Sequence, residues 1–365
     1  MSIFERVSGL PLVVEGYELE RLEQPISPDF TRVTTQIRLR GGGEEGVGED
    51  VTYHEEEHDR LQDAPPHELA GDWTVATFSK HLDGLELFPE PPAMDAYRDY
   101  RRWGFESAAL DLALRQSGHS LAYAVGRSLR PVRFVVSLRL GEPSSVDPIR
   151  RLLEDYPGTR FKLDPVPDWT PELVAELASL GAVDVVDLKG AYKGTVVDNP
   201  PNPDLYRLVA EAFPSAWIED PALTPETDAV LRQHRDRITW DAPIHSVADI
   251  ESLGFPPRTI NIKPSRFGSV ERLFAAYDYC ADRSIGMYGG GQFELGVGRG
   301  HIQHLASLFH PDSSNDVAPG GYNLTSLPSG LPTSPLQPAA EATGLRWGSE
   351  STAGALSAQS RHPRM

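Results

Sequence analysis

Between Val183 and Lys263 the chain alternates short apolar runs with longer stretches of helical period. Four of the runs read Val183-Asp-Val-Val-Asp187, Ala216-Trp-Ile-Glu219, Ile238-Thr-Trp-Asp241 and Thr259-Ile-Asn-Ile-Lys263, and each ends in a charged residue. The stretches after them open with the helix-starting residues Pro203, Pro225, Ser246 and Ser269. Such βα repeats predict parallel strands wrapped by helices, and a parallel barrel keeps its chemistry at the carboxyl ends of its strands. The series extends both ways. Val132–Leu138 and Arg160–Asp164 read as the first two strands, Ser284–Tyr288 as the seventh and the run around Ser314–Ala318 as the eighth.

The first hundred residues have another period. Gly16–Leu22, Thr31–Arg40 and Gly46–Tyr53 read as antiparallel strands, and Gly41-Gly42-Gly43 supplies a turn where positive φ costs glycine little. From Met94 the spacing turns to three and four, and Tyr100–Gln116 predicts one long helix in which Glu106 and Asp111 are structural. Downstream of the barrel, 324–338 is rich in Pro and Ser and reads as irregular. Leu345–Trp347 reads as a return to the N-terminal unit, and residues 348–365, small and polar, as a disordered tail.

With 365 residues the chain has room for a barrel of about 250 and a smaller second domain. No apolar run approaches the ~18 residues of a membrane span, and Met1–Arg6 lacks the basic-then-apolar order of a signal peptide, so a cytoplasmic protein is expected. A net charge of −19 argues against a nucleic-acid partner, which calls for a basic face. The single cysteine, Cys280, excludes an intramolecular disulfide and reads as core filler within a helix.

The chemistry follows from the strand tips. Three carboxylates and a lysine converging on one barrel mouth would raise each other's cost unless a positive ion stood among them. Oxygen ligands alone favour Mg²⁺. The plainer alternative has each acid cap the helix after its strand, but the same pattern on three successive strands, with a lysine on the fourth, weighs against it. A rival motif, His54-Glu-Glu-Glu-His58, fits the His-Glu-x-x-His spacing of zinc proteases; inside its acidic run it reads instead as a solvated helix start. His301 and His304, three apart on a helix, read as a surface or packing pair. The glycines at 289–291 before a helix start could cradle a phosphate, but with no lysine following, a plain turn is the better reading.

Asp187, Glu219 with its following Asp-Pro, Asp241 and Ile-Lys263-Pro together resemble the enolase superfamily, in its mandelate racemase and muconate-lactonizing branch. The resemblance implies a modified TIM barrel, (β/α)7β, under an N-terminal α+β capping domain. It places the cap at 1–128, the barrel at 129–326 and a return segment to the cap at 327–347. It further implies Mg²⁺ held by Asp187, Glu219 and Asp241, a small carboxylate-bearing substrate, a metal-stabilised enediolate, and a homo-oligomer. Lys263 is then the base, and the Gly-rich stretch brings Gln292 and Glu294 to the substrate. The loop at Gln24–Phe30 would reach over the site and contribute to specificity.

Two departures stand out. Relatives carry Lys-x-Lys on the second strand, where this chain has Lys162-Leu-Asp164; alternation puts Lys162 and Asp164 on one face, predicting an ion pair between them. Relatives carry Asp-x-Asn on the third, where this chain has Asp187-Leu-Lys189. A charge unit at ~5 Å is worth roughly 3 kcal/mol at an effective dielectric near 20, so Lys189 offsets part of the change and is a candidate for the missing lysine's role, beside the plainer alternative of a salt bridge to Asp164 or Asp187 with no catalytic part. With one evident lysine base, a lyase, dehydratase or synthase-type elimination is expected ahead of a racemase, epimerase or cycloisomerase reaction, with Asp164, Lys162 and Lys189 as further catalytic candidates. A barrel that keeps its metal cage but has lost turnover is the alternative of another class.

Overall fold

The fold is a computed structural model that describes residues 1–27, 30–193, 197–324 and 326–348, with the backbone alone of 361–364. In the N-terminal unit, strands β1 (Pro11–Val14), β2 (Gly16–Ser27), β3 (Phe30–Gly41) and β4 (Glu44–Asp50) precede helix α1 (Glu55–Asp63), strand β5 (Gly71–Thr74) and helices α2 (Val75–Asp83), α3 (Ala96–Gln116) and α4 (Leu121–Val125). β2, β3 and β4 form an antiparallel sheet, and β1 pairs with β5. Gly46 and Gly48 let α3 press against β4: a Cβ at either position would stand 2.2 Å or less from a carbonyl oxygen of that helix. Asp111 locks this contact to the C-terminal return, accepting the N–H of Val47 at 3.0 Å and of Leu345 at 2.8 Å.

Gln24–Phe30, expected as a loop, is mostly strand. The β2–β3 ladder continues to Ser27 and Phe30 with a register shift between Pro25 and Ser27, while Pro28 and Asp29 lie outside the described residues. The predicted disordered tail also lies largely outside them, but Arg361–Arg364 pair with Tyr17–Glu20 as a short antiparallel strand. Among the described residues no helix is long and apolar enough to cross a membrane.

The barrel strands are β6 (Val136–Leu138), β7 (Phe161–Leu163), β8 (Val183–Asp187), β9 (Trp217–Glu219), β10 (Ile238–Thr239), β11 (Thr259–Ile262) and β12 (Gly286–Gly289). The first five form one parallel sheet in sequence order, and β11 pairs with β12. The ladder is not continuous around the ring; isolated bonds span the gaps. Asn261 N–H donates to the Trp240 carbonyl at 2.9 Å, and the predicted eighth strand shrinks to Asn315 and Asp316, which bridge Phe134 and Gly290. Helices α5 (Asp147–Asp155), α6 (Pro171–Ser179), α7 (Pro203–Ala212), α8 (Pro225–Leu231), α9 (Val247–Ser252), α10 (Pro264–Phe267), α11 (Val270–Asp282) and α12 (Val297–Phe309) follow the strands. Thr170, Asn202, Thr224, Ser246 and Ser269 accept N–H bonds at the starts of five of them, which fixes where each βα loop ends. The result is an α/β barrel of the (β/α)7β plan with an α+β unit packed on it.

Candidate active site

Asp187 and Glu219 are register partners on β8 and β9, so strand pairing alone sets their carboxylates side by side. With Asp220 they offer three oxygens that all lie within 4.8 Å of one another, on fully buried residues. Burial pushes Glu219 up to about 8 against the pull of Lys162, with repulsion from Asp187 and Asp241 adding to the rise. Burial and the same two neighbours take Asp220 up to about 7. Asp187 goes the other way: burial would raise it, but Lys162 and Lys189 hold its carboxyl below the usual range.

Asp241, the third expected metal ligand, stands outside that tight group. Lys263 Nζ lies 2.7 Å from its Oδ2, Arg266 Nε lies 3.2 Å from Oδ1, and Tyr192 Oη donates to Oδ2 at 3.0 Å. Against burial, Arg266 and Lys263 keep its carboxyl well below the usual range. Asp220 ties the two parts together. Its oxygens accept the backbone N–H groups of Asp241 at 2.8 Å and Ala242 at 2.9 Å.

The predicted Lys162–Asp164 pair does not form. Lys162 Nζ bonds Glu219 Oε1, lies 3.0 Å from Asp187 Oδ2 and 3.8 Å from Asp316. Asp164 lies instead 3.6 Å from Lys189 Nζ and 3.4 Å from Arg139 Nε. The reason is local: β7 ends at Leu163, so strand alternation no longer aims Asp164. Lys189 Nζ also bonds Asp187 Oδ2 at 2.5 Å and sits 5.1 Å from the centre of the Tyr192 ring. Lys189, Asp220 and Phe293 all adopt left-handed backbone, with φ of 54°, 47° and 60°. Non-glycine residues hold such conformations at a cost, so strain is concentrated in the loops after β8, β9 and β12.

Gln292 and Glu294 are buried in the turn between β12 and α12, and the Gln292 side chain meets the cap. Tyr53 Oη donates to Gln292 Oε1 at 3.2 Å, and Gln292 Nε2 donates to Tyr100 Oη at 3.1 Å. Glu294 Oε1 accepts the Gln292 N–H at 2.7 Å. The amides of Leu295, Gly296 and Gly298 are taken by the Glu49 carboxylate at 2.7 to 3.1 Å, so an internal carboxylate fills the place where a phosphate cradle would be.

The histidine pairs resolve as structure. His54 Nδ1 lies 2.7 Å from Tyr97 Oη, while His58 lies 3.0 Å from Thr35 Oγ1 and 2.9 Å from the Thr52 carbonyl. The helix start expected to be solvated thus buries Glu57 and His58. His301 and His304 are both buried in α12, and burial takes their rings down to about 3 and about 4. Cys280 is a buried free thiol pushed up to about 12 by burial.

Sequence reading missed Arg266, Tyr192 and Tyr288. Arg266 stands three residues after Lys263 in the single turn of α10, a spacing that places it beside the same mouth. Tyr288 donates to Glu219 Oε2 at 2.5 Å from β12, and period-two alternation along that strand was a signal for it.

A family profile described as "Domain of unknown function (DUF8230) C-terminal domain" matches residues 128–324, and its N-terminal counterpart matches residues 5–124. The chain is 29% identical over 328 residues to an N-succinylamino acid racemase of an Amycolatopsis species, covering 81% of this chain and 83% of that one. It is 27% identical over 257 residues to an o-succinylbenzoate synthase of Geobacillus kaustophilus, covering 67% and 66%. Among solved structures, an enolase-superfamily member from Listeria innocua superposes with a TM-score of 0.64 at 18% identity, covering 96% of this chain and 99% of that one. Muconate cycloisomerase from Pseudomonas fluorescens gives 0.64 at 17% identity, covering 95% and 97%.

Proposed function

Because this chain belongs to the DUF8230 family and has the enolase-superfamily fold, we propose that it is a divalent-metal-dependent enzyme that removes the proton α to a substrate carboxylate. The observation that carries the reading is the register-paired Asp187 and Glu219 at the tips of adjacent strands, with Lys263 just past the end of β11. An all-oxygen group of buried carboxylates, two of them raised by burial and by repulsion from Asp187 and Asp241, is a donor set that suits a hard cation. Asp187, Glu219 and Asp241 would hold Mg²⁺. Asp220, whose oxygens already serve two amides, positions Asp241. When bound, the ion supplies positive charge for the enediolate that forms as the α-proton leaves.

The remaining work falls to side chains. Lys263 takes the α-proton, with Asp241 and Arg266 fixing where its ammonium returns. Asp164 and Lys189 serve the other face of the substrate, and the left-handed backbone at Lys189 is the local cost of that placement. Gln292 and Glu294 contact the substrate from the cap side. One lysine in the base position supports a synthase-type elimination ahead of racemisation, and the relatives carry names of both kinds. Their names also suggest N-succinylated amino acids and succinylbenzoate precursors as first substrates to try. A cytoplasmic homo-oligomer completes the proposal, its assembly measurable by light scattering.

The test is Mg²⁺-dependent turnover and solvent-deuterium incorporation at the α-carbon, with Lys263→Ala as control. Exchange at matched rates on both faces would reverse the preference for elimination. A second reading, a barrel retained for ligand binding without turnover, is favoured by one observation: Lys162, Lys189, Lys263 and Arg266 already pair with the mouth carboxylates. Binding of the same carboxylates without metal-dependent exchange would decide for it.

A further inference from the structure

We propose that Lys162 is a built-in counter-ion that competes with the divalent cation for Asp187 and Glu219, so that the chain's own lysine sets its metal affinity. The inference rests on the metal-site reading above. Lys162 is almost wholly buried, with 1% of its side chain exposed, and its ammonium has three donors and three carboxylates within reach. It bonds Glu219 Oε1 and lies 3.0 Å from Asp187 Oδ2, and so joins two of the three carboxylates of the acidic group. Their other oxygens are also engaged, Glu219 Oε2 by Tyr288 Oη at 2.5 Å and Asp187 Oδ1 by the Lys189 N–H at 3.1 Å. A cation taking Asp187 and Glu219 must displace the ammonium or share ligands with a like charge. One unit charge a few ångströms from a divalent ion outweighs a tenfold change in affinity even at a protein's effective dielectric.

Asp316 gives the displaced ammonium somewhere to go. It lies 3.8 Å from Lys162 Nζ, is 20% exposed, and sits on the bridge to Gly290 rather than on the strands carrying Asp187 and Glu219. Two variants therefore act in opposite directions. Lys162→Met removes the competitor and tightens metal binding. Asp316→Asn leaves the competitor and removes its refuge, which weakens binding.

The experiment is calorimetric titration of the full chain with Mg²⁺ and with Mn²⁺, beside thermal denaturation in chelator and in excess metal. Lys162→Met should bind about tenfold tighter or more, lose several degrees of melting temperature in chelator, and regain them with metal. Asp316→Asn should bind a few-fold weaker, and Lys162→Arg should stay near wild type. Should Lys162→Met fail to fold, Lys162→Gln and Asp316→Asn carry the same comparison. Unchanged affinity in the variants of a metal-binding wild type, or an equal loss of melting temperature with and without metal, overturns the counter-ion and leaves the metal site standing. Absence of binding in wild type and Lys162→Met alike overturns both.

Discussion

Arg32→Met should loosen the turn that carries Gln292 and Glu294 from the cap that holds it. Arg32 is fully buried on β3, and its guanidinium meets four backbone carbonyls. Those of Thr52 at 2.6 Å and Val51 at 2.7 Å belong to the cap, and those of Gln292 at 2.9 Å and Phe293 at 3.1 Å to the turn after β12. Methionine keeps most of the stem and removes every donor. Thr52 retains the His58 ring at 2.9 Å, so all four carbonyls lose the guanidinium and three are left to find another donor. At about 1–3 kcal/mol for each unsatisfied buried acceptor, partly relieved by entering water, the loss of stability should be about 3–5 kcal/mol. The cation–π contact with Tyr53, 4.4 Å from the ring centre, adds to it. Urea denaturation measures the stability, and hydrogen exchange at residues 290–296 reports whether the loss is local. For turnover, KM should rise more than kcat falls, because the proton-transferring groups stay on the barrel. An unchanged denaturation midpoint with unchanged exchange in the turn would refute the clamp.

Lys263→Ala should lower turnover by about 10²–10⁴-fold with the fold retained by circular dichroism; a smaller loss would move the base elsewhere. Lys189→Met should cost about 10²-fold, and full turnover in that variant would remove Lys189 from the chemistry. His301 titrates near 6.5 when unfolded but is held at about 3 by burial, so below pH 6.5 the unfolded chain takes a proton that the folded chain refuses. Stability therefore falls with pH by about 1.4 kcal/mol per unit from this group, and His301→Leu should outlast wild type by about 2 kcal/mol more at pH 5 than at pH 6.5. Parallel urea curves at the two pH values would refute it. Cys280→Ser, which buries a hydroxyl in an apolar site, should cost about 1–3 kcal/mol by the same assay, and a neutral result would place the thiol at the surface.

The barrel was legible because each parallel strand buries both faces and ends where function begins, so an apolar run closed by Asp, Glu or Lys carries fold and chemistry in one short segment. That logic placed Asp187, Glu219, Asp241 and Lys263 at or just past the ends of their strands without any knowledge of their neighbours. It was weaker wherever contacts depend on curvature or covering layers. His301 and His304 read as a surface or packing pair, and their burial decides for packing; nothing in their own helix tells that Leu345–Trp347 returns over it, and the small residue Gly300, whose Cβ would meet the Trp347 carbonyl at 2.9 Å, was the available signal. The Gln24–Phe30 loop was overestimated because it was carried over from the superfamily's capping unit, yet here a register shift lets the ladder continue.

The exchange of partners at the mouth shows the same boundary between one-dimensional and three-dimensional information. Alternation correctly makes Lys162 an inward residue, but it cannot say which inward carboxylate an ammonium on a curved sheet will meet. The strand stops one residue before Asp164, so Asp164 leaves the pattern while Lys162 stays in it. Freed from each other, the two find separate partners: Lys162 joins Asp187 and Glu219, and Asp164 joins Lys189. Asp187 then stands between two lysines, at 3.0 Å from one and 2.5 Å from the other. The second-strand and third-strand departures from the superfamily pattern, Asp164 and Lys189, are therefore coupled directly, by their ion pair at 3.6 Å. Reverting only one, Asp164→Lys or Lys189→Asn, takes from the other its partner in that pair. Each single reversion should bind metal worse or fold less stably than the double variant, a non-additivity that a double-mutant cycle on metal affinity reads directly.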